Sequence, residues 1–245
     1  MTATAPTVLA GSIGFDSRGR GPHDWSAGPV FDLAFQLAGA GDRPRICFLG
    51  TAGGDDPAPV AGFYGAFARR PEVVASHLSL FPMPTVADVR AHLLAQDVVW
   101  VGGGSVANLL AVWRVHGLDE VFREAWQAGV VLAGVSAGSL CWHAGGTTDS
   151  FGPGLRPVTD GLGLLPHSNG VHHDSEPRRR PVYHQLVADG TLPAGYATDD
   201  GVGLVYRGTE LVEAVADRPG KAAYRVERSA DGTAVETRIE PRRLR

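Results

Sequence analysis

Short apolar runs alternate with amphipathic stretches through the first two thirds of the chain. The runs at 8–13, 45–50, 72–80, 97–101 and 130–135 are bounded by Gly, Pro and small polar residues and predict strands. Between them, apolar positions recur at helical spacing over 30–38, 57–69, 85–96, 106–115 and 119–127. Thr85 is the expected cap of the third helix, with Asp88 three residues on as its box partner. Near-continuous apolar strands separated by helices belong to a mostly parallel sheet covered on both faces.

The last third reads differently. Residues 145–177 are rich in Gly, Pro, His and Asp and predict loop, and 179–188 predicts a helix. Strands are expected at 196–206, 210–216, 222–228 and 233–239, with Ala230-Asp231-Gly232 as a hairpin turn. No repeat or low-complexity linker divides the chain, so residues 1–245 are read as one α/β catalytic domain with a β-rich portion from about 196.

Composition narrows the function classes. Of the 245 residues 44% are hydrophobic and 20% charged, ordinary values for a globular domain that buries its own core. A net charge of -4 argues against nucleic acid or anionic lipid as a partner. The two cysteines, Cys47 and Cys141, lie in apolar runs and are expected as buried thiols; their number excludes a metal site built on cysteine. The amino-terminal stretch has no basic region before its apolar residues, so no signal peptide is expected. No apolar run approaches the length of a membrane span, and the expected location is cytoplasmic, as a monomer or homodimer.

The sharpest motif is Gly134-Val135-Ser136-Ala137-Gly138, which follows an apolar strand and precedes residues that can start a helix. That is the strand–turn–helix setting of a nucleophile elbow, where a strained turn lifts the serine hydroxyl above the sheet. Val101-Gly102-Gly103-Gly104-Ser105 stands at another strand end. The N–H of Ala137, with that of Gly104 or Gly103, is suited to hold an oxyanion. The glycine run lacks the Lys-Ser/Thr ending of a P-loop and the G-x-G-x-x-G spacing. A serine nucleophile needs a base. Among nine histidines, the run His167-Ser168-Asn169-Gly170-Val171-His172-His173-Asp174 sits in polar loop and is the natural source; His116 and His143 read as structural or exposed. His172, His173 and Asp174 lack a standard zinc spacing, so no metal and no cofactor is expected.

Taken together, Gly102-Gly103-Gly104, the pentapeptide around Ser136, the run from Leu165 to His172 and Asp199-Asp200-Gly201 resemble the peptidase E family of aspartyl dipeptidases, with cyanophycinases as relatives. The resemblance spans about residues 5–215. It implies a three-layer sandwich similar to class I glutamine amidotransferases, with Ser136 as nucleophile, His172 as base and an acid from the Asp199-Asp200 turn. The family's glutamate before a glycine points to Asp200. The implied substrate is a short peptide with N-terminal aspartate.

Two features stay open on residues alone. An α/β-hydrolase would run serine, acid, histidine, taking Asp149 or Asp160 as acid. Arg178-Arg179-Arg180 opens the predicted helix, where positive charge opposes the helix dipole. By position Arg179 resembles the family's substrate-binding arginine, suited to fork a carboxylate. Asp149 is read as a turn cap or an orienting group, and Trp142 as core. The rival functions are a cyanophycinase-like or other amide or ester hydrolase, and a non-catalytic binding module.

Overall fold

The computed structural model describes residues 5–19, 21 and 23–245. Residues 1–4, the start of the stretch read as lacking a leader, lie outside the described residues. In chain order the elements are β1 (Thr7–Gly11), β2 (Asp16–Ser17), β3 (Trp25–Ser26), α1 (Pro29–Ala38), β4 (Arg45–Leu49), a 3-10 turn (Thr51–Gly53), α2 (Pro57–Phe67) and β5 (Val74–Leu78). There follow α3 (Val89–Leu94), β6 (Val98–Val101), α4 (Val106–Val115), α5 (Leu118–Gln127), β7 (Val131–Val135), α6 (Ala137–Leu140), β8 (His143–Thr148), β9 (Arg156–Val158) and β10 (Leu165–Gly170). The chain closes with α7 (Arg179–Ala188), β11 (Gly195–Thr198), β12 (Val202–Arg207), β13 (Glu210–Ala216), β14 (Ala223–Arg228), β15 (Ala234–Ile239) and β16 (Arg242–Arg243).

The central sheet has eight strands in the order β16-β13-β12-β1-β7-β6-β4-β5. From β5 to β1 every pair is parallel; β12 and β13 then join antiparallel. Strand alternation splits its apolar side chains between two cores. Ile46, Phe48, Val98, Trp100, Val131 and Ala133 face α1 and α2, among Phe31, Phe35, Phe63 and Phe67. Cys47, Leu49, Val99, Val101 and Leu132 face the side of α4–α6, with Trp113, Phe122 and Trp142. Trp142 is therefore core, and both cysteines are free and buried. The result is a mixed α/β layered fold with a large, mostly parallel central sheet.

A second sheet, β15-β14-β11-β10-β8-β9, was not anticipated. Residues 145–177, expected as loop, supply β9, β10 and most of β8. Asn169 in this stretch is buried yet bonded: Ser139 Oγ donates to its Oδ1 at 2.7 Å, and its Nδ2 donates to the Tyr196 carbonyl at 3.1 Å. A polar pattern of this kind hides a buried strand from periodicity. The expected strand 196–206 is two strands in different sheets, broken at the Asp199-Asp200-Gly201 turn. The third helix starts later than expected, because Asp88 and not Thr85 caps it: Asp88 Oδ1 accepts the Ala91 N–H at 2.8 Å. Thr85 Oγ1 instead accepts the Ser79 N–H at 3.2 Å. Among the described residues no helix is long and apolar enough to cross a membrane.

Candidate active site

The parallel strands all point their carboxyl ends at one edge of the sheet, where ligands of open α/β folds bind. At the end of β7 the chain turns sharply at Ser136, with φ 59° and ψ −116°. Its N–H is tied to the Gly11 carbonyl of β1 at 3.0 Å. A non-glycine residue at positive φ is strained and marks a site the surroundings over-determine. The flanking glycines are required. A Cβ at Gly134 would come within 2.3 Å of the Gly138 carbonyl oxygen, and one at Gly138 within 2.2 Å of that of Val101. The elbow therefore packs backbone against backbone. Ala137 is the first residue of α6, where a helix leaves its N–H groups without intrahelical partners.

The glycine run after β6 lies against this turn. A Cβ at Gly103 would sit 3.3 Å from Ser136 Cβ and 3.8 Å from its Oγ. Gly104 has φ 138°, and a Cβ there would meet the Ala52 carbonyl oxygen at 2.3 Å. The structure thus brings Gly103 and Ser136 together and leaves no side chain between them.

His172 follows β10 and also has positive φ, 54°. Its N–H donates to Ser12 Oγ at 2.9 Å, and its Nδ1 lies 2.6 Å from Asp200 Oδ1. Asp200 in turn donates its N–H to Asp174 Oδ1 at 2.9 Å, and Asp174 Oδ2 accepts from Lys221 Nζ. Burial alone would raise the Asp174 carboxyl; the bonds from Lys221 and the Asp200 N–H outweigh it and hold it below the usual carboxylate range. Asp199 turns the other way. It is 4% exposed, and its Oδ2 accepts the Ala222 N–H at 2.9 Å and the Tyr224 hydroxyl at 3.3 Å. Burial pushes its carboxyl up.

A cleft of about 290 Å³ opens between these groups, lined by Gly102, Gly103, Val135, His172 and Asp200. Phe15, Trp25, Phe48 and Trp100 form its apolar wall, and Asp217 and Arg218 lie at its edge. Sequence reasoning missed this wall and Ser12. Ser12 directly follows the apolar β1 and Gly102 directly follows β6, and such strand-end positions are the signal that points to a site.

Arg179, expected to fork a substrate carboxylate, has its fork occupied within the chain. Nε and Nη2 donate to Glu176 Oε2 and Oε1 at 2.7 and 3.2 Å, and Nη1 donates to the Thr147 carbonyl at 3.1 Å. It is 4% exposed, with Asp149 Oδ1 a further 3.9 Å from Nη2. Arg178 donates to the Pro153 carbonyl. Of the α/β-hydrolase acids, Asp149 stands beside Arg179 and Asp160 pairs with Arg114 on the surface.

The sequence pattern of Peptidase family S51 matches residues 29–214. The chain is 47% identical to "Uncharacterized peptidase YgaJ" of Bacillus subtilis (strain 168) over 185 residues, 76% of this chain and 79% of that one. It is 28% identical to Peptidase E of Pasteurella multocida (strain Pm70) over 134 residues, 51% of this chain and 57% of that one. Among solved structures, a peptidase from an acI-B1 Actinobacterium superposes with a TM-score of 0.70 at 15% identity, covering 97% of this chain and 95% of that one. A putative Peptidase E protein from Listeria monocytogenes EGD-e gives 0.59 at 16% identity, covering 85% and 98%. At such identities these likenesses establish the fold alone.

Proposed function

The chain belongs to peptidase family S51, and on that premise we propose that it is a serine peptidase that hydrolyses short peptides through an acyl-enzyme on Ser136. One observation carries the reading: a strained serine elbow stands against Gly103, and Gly103 lines a cleft together with a histidine hydrogen-bonded to a carboxylate. In this mechanism Ser136 Oγ attacks the scissile carbonyl carbon while His172 takes its proton. Asp200 accepts from Nδ1–H, fixing the tautomer and stabilising the imidazolium. The N–H groups of Gly103 or Gly104 and of Ala137 hold the oxyanion. His172 then protonates the leaving amine, and water, activated by the same imidazole, hydrolyses the ester.

The finer reading, cleavage of Asp-Xaa dipeptides, rests on the resemblance to peptidase E and on relatives of that name. A second reading has its own support. The arginine suited to read an aspartate is spent on Glu176, whereas the cleft beside the triad is walled by four aromatic side chains. An apolar side chain next to the scissile bond fits that wall. The test is hydrolysis of Asp-Xaa, Glu-Xaa, Asn-Xaa, Leu-Xaa and Phe-Xaa dipeptides by the purified protein. A specificity constant highest for Asp-Xaa supports the dipeptidase reading, and one highest for Leu-Xaa or Phe-Xaa supports the apolar one. Absence of all turnover, together with no labelling of Ser136 by a fluorophosphonate, contradicts both and leaves a binding module.

A further inference from the structure

His173, the neighbour of the proposed base, faces away from the cleft into a cluster the mechanism does not use. Its Nε2 lies 2.8 Å from Glu236 Oε2 on β15, and His184 Nε2 on α7 lies 2.7 Å from the same oxygen. The three ligand atoms lie within 4.8 Å of one another. The His173 side chain is fully buried and that of Glu236 is 10% exposed, while His184 reaches the surface at 29%. We infer that His173, His184 and Glu236 form a binding site for one divalent transition-metal ion, for which zinc is the natural probe.

Two imidazole nitrogens converging on one carboxylate oxygen is the donor set of a two-histidine, one-carboxylate site. Tetrahedral ligands about 2.05 Å from zinc stand about 3.3 Å apart, so admitting the ion requires each of the two histidine–glutamate pairs to open by roughly half an ångström. The carboxylate is already oriented for this. Arg180 Nη2 donates to Oε1, which leaves Oε2 directed at the imidazoles, the outer contact that ligating carboxylates generally have. The ring of Tyr224 lies under the Arg180 guanidinium, 5.2 Å from its centre, and steadies it. His173 Nδ1 is buried without a partner among the described residues. In the metal-free state Nε2 must carry the proton to bond Glu236, so Nδ1 is left as a buried lone pair. Binding through Nε2 moves the ring proton to Nδ1, which stays without a partner among the described residues, and replaces two hydrogen bonds to one oxygen by coordination. The exposed side of His184 gives an entry path and a place for water as the fourth ligand.

The ion would tie together the segment carrying His172, helix α7 and the carboxyl-terminal hairpin. Its binding does not depend on whether the peptidase reading holds. The experiment takes the full chain, stripped with chelator and dialysed, and titrates it with zinc by calorimetry. One equivalent is expected, and it should raise the thermal midpoint by about 5 °C at a hundredfold excess over Kd. Glu236→Gln and His184→Gln should each weaken binding by about a hundredfold. His184→Gln, at the more exposed ligand, keeps the test open if Glu236→Gln fails to fold. His116→Gln, at an exposed histidine outside the cluster, should bind as the wild type does. X-ray absorption at the zinc edge should report two imidazole ligands. No retained zinc, undiminished binding in His184→Gln, or a single imidazole around the ion would overturn the site.

Discussion

Ser12 holds His172 from the end of the first strand: its hydroxyl accepts the His172 N–H at 2.9 Å, across 160 positions of sequence. The same hydroxyl lies 2.8 Å from Thr198 Oγ1 and 3.1 Å from the Thr198 carbonyl, two residues before Asp200. One buried hydroxyl therefore joins the segments that carry the proposed base and acid, and supports the left-handed backbone of His172.

Ser12→Ala removes that support without touching a reacting group. We expect kcat to fall about tenfold with little change in KM, since only the base is misplaced. The lost acceptor should cost about 1 kcal/mol in urea unfolding. An unchanged kcat would show that Ser12 has no positioning role.

The paired aspartates separate by direction. Asp200→Asn should lower kcat by up to about ten-thousandfold, because the imidazole loses its orienting charge. Asp199→Asn, whose side chain bonds Ala222 and Tyr224 away from the cleft, should change kcat by less than about tenfold. Steady-state kinetics on one peptide decides between them, and a reversed order would move the acid to Asp199.

These residues also mark how far sequence reached. The parallel sheet, the elbow at Ser136 and the glycine run were legible because apolar runs and glycine-bounded turns are local signals. The second sheet was not, since Ser168 and Asn169 are buried through long-range hydrogen bonds that no periodicity records. Arg179 read as a free fork although Glu176 stands three residues earlier, because spacing alone does not tell which carboxylate a guanidinium takes. The cluster of His173, His184 and Glu236 joins positions up to 63 apart and had no local spacing to find.

Gly103 offers a steric test of the oxyanion side. Gly103→Ala puts a methyl 3.3 Å from Ser136 Cβ, tighter than an easy contact but not a backbone clash. The variant should fold with a thermal midpoint within a few degrees of wild type and lose about ten- to a hundredfold in kcat. Gly104→Ala meets the Ala52 carbonyl oxygen at 2.3 Å and should be destabilised as well. Full activity in Gly103→Ala would remove this turn from the oxyanion site.

His143 gives the stability a pH signature. It is fully buried, with Nδ1 donating to the Ser139 carbonyl at 2.8 Å, and burial lowers its pKa from 6.5 to about 4. The folded state thus binds the proton more weakly than the unfolded one. The stabilisation is complete above pH 6.5 and is lost as pH falls toward 4, by about 3 kcal/mol at one proton. Urea unfolding from pH 7 to pH 4 should show this loss in the wild type and not in His143→Gln. Parallel curves for the two proteins would contradict it.

The central claim is that Ser136 is the nucleophile activated by His172. Its direct test is labelling with a fluorophosphonate followed by peptide mass spectrometry. The expected result is one adduct per chain on Ser136, absent in Ser136→Ala and slowed at least about a hundredfold in His172→Ala. An adduct on Ser139 or Ser12, or undiminished labelling of Ser136→Ala, would contradict the account.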